Sequence, residues 1–156
     1  VIDNCRMTDM ESLINKHRAT YVKVTNSTLY KLTERAIYLE SGGGAPTVIL
    51  EDCTLVDLIL TPIETTSVSG NLTYKNNISA CYQDRYQNLA YRLTVIEFSA
   101  NYAAAGEGAA INVHSKPVTV EGAWTSIEMT KDQLLADASN GDLTTTVPAG
   151  DQRWRQ

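Results

Sequence analysis

The chain has 156 residues, of which 43% are hydrophobic, and this is enough for one domain with a buried core. Its net charge is −5 at pH 7, and its lysines and arginines form no run or basic-aromatic stripe, which argues against a nucleic-acid partner. No apolar stretch is long enough to span a membrane, and no signal peptide or lipidation motif is visible. Because Val1 already lies in a predicted strand, we expect that upstream domains and an export signal precede it.

A short pattern recurs five times along the chain: two apolar residues in alternation, followed by a pair of small, mostly polar residues. The pairs are Asn4-Cys5, Asn26-Ser27, Asp52-Cys53, Asn76-Asn77 and Ala100-Asn101. Their second members lie 22, 26, 24 and 24 residues apart. Such even spacing indicates a solenoid repeat.

The residues before each pair have the period of a β-strand with one buried face. Two residues before the pairs stand Ile2, Val24, Leu50, Tyr74 and Phe98, and four residues before them stand Val22, Val48, Leu72 and Ile96. The intervening positions are mixed, as expected for the solvent side of a strand. One short strand per repeat cannot bury its apolar face alone, so the repeats must stack. The sequence therefore predicts an all-β fold, a right-handed parallel β-helix of about five to six coils. A Greek-key sandwich with coincidentally spaced strands is the alternative.

In a parallel β-helix, equivalent residues stack into ladders along the axis, about 4.8 Å apart. We expect a structural ladder at the corner pairs, where stacked amides satisfy backbone groups. Its members are Asn4, Asn26, Asp52, Asn76, Asn77 and Asn101. Cys5 and Cys53 would share a column two coils apart. Their Cα atoms would then lie about 9.6 Å from each other, which is too far for a disulfide bond. No cysteine or histidine has metal-ligand spacing, so no metal site is predicted.

Between the corner pairs the sequence is less regular. The spacing of Met7, Met10, Leu13 and Ile14 suits one helical turn, and residues 36–39 read as a second strand of the second coil. The third coil carries the apolar residues 58–60.

The fourth coil carries a polar and aromatic loop with the residue types that bind sugars. Its candidate glycan-binding residues are Tyr82, Arg85, Tyr86, Tyr91 and Arg92. Aromatic faces cover the C–H surfaces of sugars, and guanidinium groups bind hydroxyls. The alternative interpretation is that the tyrosines cover the coil ends.

The repeat stops after the fifth coil. We therefore assign 1–115 to the coils and 116–156 to a last strand and a C-terminal cap of the same domain, with an amphipathic stretch at 127–135 as a capping helix or turn.

The C-terminal region also carries a resemblance to a known family. The segment from Asp137 to Asp142, Asp-Ala-Ser-Asn-Gly-Asp, is followed by a final Gly150-Asp-Gln-Arg-Trp154, and a strand leads into Asn76-Asn77-Ile78. Together these resemble the C-terminal part of pectate-lyase-like β-helix proteins exported by Bacteroidetes, including domains of uncharacterised function. The chain departs from that pattern at Gln152, where the family more often has proline.

The resemblance implies a secreted, periplasmic or cell-surface location and polysaccharide or oligosaccharide as the partner. The related lyases use a lysine or arginine base and often Ca²⁺ held by carboxylates. Here the outward charges, Lys23, Glu51, Lys75 and Glu97, are too sparse to predict a catalytic set. We therefore expect a non-catalytic segment without a cofactor. The alternatives are a polysaccharide lyase, with Ca²⁺ and part of its cleft on these coils, and a phage tailspike or adhesin coil.

Overall fold

The computed structural model describes residues 1–40, 44–60, 62–66, 70–81, 90–91, 93–104, 111–113, 116–118, 124–126 and 128–156. The fold is all-β, with 46% strand and 9% helix, and its parallel sheets form a β-solenoid of about four turns. The predicted parallel β-helix is confirmed.

Three parallel sheets run along the solenoid axis. Sheet 1 contains, in spatial order, β1 (Ile2–Asp3), β4 (Tyr21–Thr25), β7 (Thr47–Glu51), β10 (Gly70–Lys75) and β13 (Leu93–Ser99). Sheet 2 contains β2 (Arg6–Thr8), β5 (Thr28–Tyr30), β8 (Thr54–Val56), β11 (Ile78–Ala80), β14 (Asn101–Ala103) and β17 (Trp124–Ser126). Sheet 3 contains β3 (Ile14–His17), β6 (Ile37–Leu39), β9 (Ile63–Thr65) and β12 (Ala90–Tyr91). A separate antiparallel pair joins β15 (Ile111–Val113) to β16 (Lys116–Val118).

The repeat pattern fixes the register of sheet 1. Val22 pairs with Val48, and Val48 pairs with Leu72, so equivalent apolar residues stack on the inward face. All three are at least 96% buried. A second inward column contains Val24, Leu50, Tyr74 and Phe98, and the rings of Tyr74 and Phe98 stack with centroids 5.3 Å apart. The strands are held together by the burial of these two apolar columns, and each coil covers the one before it.

The ungapped alignment is wrong at one position in the fifth repeat. Leu72 pairs with Val95 but the next residue, Thr73, pairs with Glu97, so Ile96 is the extra residue of a β-bulge. Ile96 is 64% exposed instead of lying in the inward column. A bulge adds one residue without changing the interval between corner pairs, which is why the spacing did not reveal it.

Of two further expectations for the residues between the corner pairs, one is wrong and one is confirmed. Residues 7–14 do not form a helical turn, because Met7 lies in β2 and Ile14 begins β3. The third strand of coil 3 is β9, Ile63–Thr65. Leu58, which precedes it in the chain, is fully buried but lies outside any strand. The second strand predicted near Ile37 is present as β6.

Residues 128–156, which we call the C-terminal strap, pack against the outward face of sheet 2. The strap contains α1 (Lys131–Leu134) and two 3-10 helices, at Ala138–Asn140 and Gln152–Trp154. Its buried apolar residues are Leu134, Leu135, Ala138, Leu143, Val147 and Ala149, and they form one cluster with Tyr30, Val56, Ile78, Ala80 and Ala104. Every residue of β5, β8 and β11 is therefore buried, on both faces of the sheet. The residues between β14 and β17 lie largely outside the described part of the chain.

Polar contacts fasten the last part of the strap to the first coils. Asp151 is fully buried, and its carboxylate accepts a hydrogen bond of 2.6 Å from the Thr28 hydroxyl. The indole N–H of Trp154 donates to the same Thr28 oxygen at 2.7 Å, and the ring lies 5.2 Å from the Arg6 guanidinium. Gly150 has φ +80°, and an added Cβ would lie 2.5 Å from the Thr54 Oγ1. This glycine therefore permits the close approach of strap and sheet.

The strap also contains a turn from Asp137 to Asp142 that is held by side-chain hydrogen bonds. Asp137 accepts hydrogen bonds from the Asn140 and Ser139 side chains, at 2.8 Å each, and these contacts lower the pKa of its carboxyl. Gly141 follows in the left-handed region, with φ +83°. The pKa of Asp142 is lowered by hydrogen bonds from the Thr144 hydroxyl and backbone N–H. In this chain, the motif Asp-Ala-Ser-Asn-Gly-Asp is a capped turn.

Candidate functional site

The corner pairs place two different ladders at the junction of sheets 1 and 2. The first members, Asn4, Asn26, Asp52, Asn76 and Ala100, all have φ between 45° and 56°. Asparagine and aspartate adopt this left-handed conformation more readily than other residues with a Cβ. Among their side chains, Asn26 donates to Asn4 at 3.5 Å, and Asn76 donates to Asp52.

The second members point inward and satisfy backbone groups of the coil below. The Asn77 Oδ1 accepts from the Cys53 N–H at 2.8 Å, and its amide donates to the Leu50 carbonyl at 3.0 Å. Asn101 repeats this arrangement one coil higher, accepting from the Asn77 N–H at 2.9 Å and donating to the Tyr74 carbonyl at 2.8 Å. Both side chains are fully buried. Their role is structural.

Cysteine chemistry does not define a site in the described part of the chain. Cys5, Cys53 and Cys81 are free thiols. Burial raises the pKa of the Cys53 thiol to about 12, so the nucleophilic thiolate is scarce at neutral pH. Within the described ranges, no group of three or more His, Cys, Asp or Glu residues is placed to hold a metal ion.

The sugar-binding residues predicted from the sequence fall mostly outside the described ranges. Tyr82, Arg85, Tyr86 and Arg92 are among the residues that are not described. The backbone of Tyr91 lies in β12 and pairs with Glu64 of β9. This places the end of the predicted loop immediately before β13 of sheet 1.

The outward face of sheet 1 is the broad face that the strap leaves open. Its outward residues on β4, β7 and β10 are all half-buried or exposed, in contrast to β5, β8 and β11 of sheet 2, which are buried throughout. The face consists of three columns of side chains that run parallel to the solenoid axis. We call them the uncharged, middle and charged columns.

The uncharged column lies at the start of the sheet 1 strands. Its members are Tyr21, Thr47, Asn71 and Thr94, which pair in register from one coil to the next. Tyr21 is 51% exposed, so about half of its surface is open to solvent. Tyr21 also borders a cleft of about 360 Å³ that has Leu13, Ile14 and Asn15 in its lining.

The middle column contains Lys23, Ile49, Thr73 and Glu97, and the charged column contains Asp3, Thr25, Glu51, Lys75 and Ser99. Several of these groups bind one another. The Thr25 hydroxyl donates to Asp3 at 2.6 Å, Lys75 forms an ion pair with Glu97 at 3.6 Å, and Ser99 donates to Glu97 at 3.2 Å. These contacts engage much of the charge on this side of the face.

Sheet 3 offers a smaller outward face that is already occupied by internal contacts. Arg35 forms an ion pair with Glu64, and its guanidinium lies 4.8 Å from the Tyr38 ring centroid. The alternation within sheet 1 was visible in the sequence, but the uncharged column was not singled out. Its signal was the recurrence of an uncharged polar side chain five or six residues before the corner pairs.

Comparison with known proteins does not add an assignment: no protein family, curated protein or solved structure matches the chain. The fold therefore defines the protein as a parallel β-solenoid. Among the described residues, no helix has both the length and the apolar character needed to cross a membrane.

Proposed function

We propose that this chain is a non-catalytic polysaccharide-binding segment of a β-helix protein that acts outside the cell or at the cell surface. A linear glycan would lie along the outward face of sheet 1, parallel to the solenoid axis. The observation that carries this proposal is the contrast between the two long faces: the strap covers sheet 2, whereas the side chains of sheet 1 remain accessible.

The shape and composition of this face suit an extended polymer. The strands of sheet 1 present equivalent side chains at one coil spacing, about 4.8 Å, so a chain-like ligand would meet a similar set of groups at each step. The exposed ring of Tyr21 offers an apolar surface for the C–H face of a sugar, while Thr47 and Asn71 offer hydrogen bonds to hydroxyls.

Two further points support a glycan as the ligand. The polar and aromatic stretch predicted to bind sugars, up to Arg92, directly precedes β13 in the sequence. The C-terminal signature resembles that of exported pectate-lyase-like β-helix proteins, which supports the extracellular location.

The charges on the face favour binding over catalysis. Abstraction of a proton beside a uronate carboxylate requires a free base and stabilisation of the developing negative charge. Lys75, the most central lysine on the face, is paired with Glu97. The Lys75 ammonium is therefore already engaged by a carboxylate of the same face.

The test is a glycan array and a pull-down with insoluble polysaccharides, using the wild-type protein and Tyr21→Ala. We expect binding by the wild type, weaker binding by Tyr21→Ala, and no release of oligosaccharide products. Tyr38→Ala on sheet 3 is the matched control and should bind as the wild type does. An absence of binding to every polysaccharide would refute the proposal, and release of unsaturated products would identify a lyase instead.

A further inference from the structure

The arrangement of charges on sheet 1 carries an inference about the class of glycan, which rests on the proposed function. We infer that the ligand is a neutral polysaccharide and that the uncharged column is its binding track. A polyuronate, the substrate class of the enzymes that the sequence resembles, is disfavoured by the same arrangement.

The first step concerns the net charge of the face. Its outward positions on β1, β4, β7, β10 and β13 carry two lysines, Lys23 and Lys75, and three carboxylates, Asp3, Glu51 and Glu97. The whole chain has a net charge of −5. A polymer with one carboxylate per sugar would therefore approach a surface of its own sign, and the repulsion acts within about 8 Å at physiological ionic strength.

The second step concerns Lys75, which already forms an ion pair with Glu97. The Lys75 ammonium lies 3.6 Å from the Glu97 carboxylate, so binding a uronate there would require breaking this pair. The lysine would gain one carboxylate and lose another. Exposed pairs of this kind are weak, at about 0–1 kcal/mol, but no gain in the number of opposite-charge contacts would result. The exchange offers little selectivity for an acidic polymer.

The third step concerns the uncharged column. Tyr21, Thr47, Asn71 and Thr94 carry hydroxyl and amide groups on four successive strands and no ionisable acid or base that is charged at neutral pH. Within the described ranges, no side-chain hydrogen bond engages the Thr47 hydroxyl or the Asn71 amide. Both residues are half-buried, which leaves their polar atoms next to solvent. Hydroxyl and amide groups both donate and accept, as sugar hydroxyls do.

Two side chains supply apolar surface on and beside the uncharged column. Ile49 lies on the same strand as Thr47, two residues along on the same face, and it is half-buried. The Tyr21 ring stands one coil below Thr47. A neutral sugar has an apolar C–H surface and a rim of hydroxyls, and this combination of side chains matches both.

The experiment compares neutral polysaccharides, namely a β-glucan, a mannan and a galactan, with polygalacturonate and alginate by affinity electrophoresis and titration calorimetry. We expect the wild type to bind at least one neutral polymer and to bind both polyuronates at least tenfold more weakly. Thr47→Val and Asn71→Leu should each weaken binding of the neutral polymer by about threefold to tenfold, since each removes a hydrogen-bonding group while keeping the side chain's size.

Thr25→Val is the matched control, because Thr25 has the same side chain on the charged column and already donates to Asp3. It should leave the affinity for the neutral polymer unchanged. Equal losses for Thr47→Val and Thr25→Val would overturn the assignment of the track. Tighter binding of a polyuronate would overturn the neutral class while leaving glycan binding in place, whereas binding to no polysaccharide at all would remove the proposed function together with this inference.

Discussion

The inward amide ladder gives the sharpest test of how the coils are held together. In Asn77→Leu, the side chain keeps a similar volume but loses both hydrogen-bonding atoms. The Cys53 N–H and the Leu50 carbonyl, which Asn77 binds at 2.8 Å and 3.0 Å, then lose their side-chain partner inside the core. Each buried backbone group left without a partner costs about 1–3 kcal/mol, so we expect a loss of about 2–6 kcal/mol in the free energy of unfolding.

The chain itself suggests an intermediate variant. Ser27 occupies the equivalent position two coils lower, where its hydroxyl accepts from the Cys5 N–H at 3.1 Å and donates to the Thr25 carbonyl. Asn77→Ser should therefore keep an acceptor for the Cys53 N–H but not reach the Leu50 carbonyl. We expect it to cost about half as much as Asn77→Leu, or about 1–3 kcal/mol.

Urea denaturation followed by far-ultraviolet circular dichroism measures both losses from the shift in midpoint. Asn71→Leu is the matched control, since Asn71 is on the open face of sheet 1, and its effect should stay within about 0.5 kcal/mol. The reasoning is refuted if Asn77→Leu costs less than about 1 kcal/mol, or if Asn77→Ser is as destabilising as Asn77→Leu.

Three other substitutions test separate features. Gly150→Ala should lower the free energy of unfolding by about 2–5 kcal/mol, because it combines an unfavourable positive φ with a clash against Thr54. Urea denaturation measures this loss. Gly44→Ala is the control and should be less destabilising, because there is open space around Gly44. Ala100→Asn should raise the free energy of unfolding by about 0.5–1 kcal/mol, since φ is +54° there, and an unchanged midpoint would contradict this. The pKa of Cys53 is about 12 in the folded state and 9.0 for a free thiol, so its contribution to stability is fully present below pH 9 and is lost as the pH rises towards 12. Cys53→Ala should therefore lose less stability than the wild type between pH 9 and pH 11, and equal slopes would contradict the shift.

The coils were predictable because their determinants are local and repeated. Val48 and Leu50 alternate in the sequence and again in the structure, and the pairs such as Asp52-Cys53 mark the left-handed corners. The bulge at Ile96 was not predictable from spacing, since it lies between two corners that keep their interval. Burial alone does not distinguish a strand from a corner, since Leu58 is fully buried but lies outside any strand.

The position of the strap was harder to foresee for a different physical reason. Its residues Leu134 and Leu143 are ordinary apolar residues in the sequence, and nothing local indicates which sheet they cover. The indication that the strap covers sheet 2 was in the strands of that sheet. The segments Thr54-Leu55-Val56 and Ile78-Ser79-Ala80 lack a charged residue at either outward position, as expected for strands covered on both faces. The same comparison separates sheet 2 from the open face of sheet 1, so it bears directly on the candidate site.

The contacts of the strap determine the order in which parts of the molecule fold. Arg153 donates to the Cys5 carbonyl across 148 residues of sequence, and Trp154 donates to Thr28 across 126. Contacts of such separation close only after the intervening coils exist, because loop closure carries an entropic cost that local contacts avoid. The outward side of the first coils is therefore completed by residues that are synthesised after all of the coils. Removing residues 150–156 should for this reason loosen the N-terminal end of the solenoid first, and hydrogen exchange should report the change in β2 and β5 before it appears in β11.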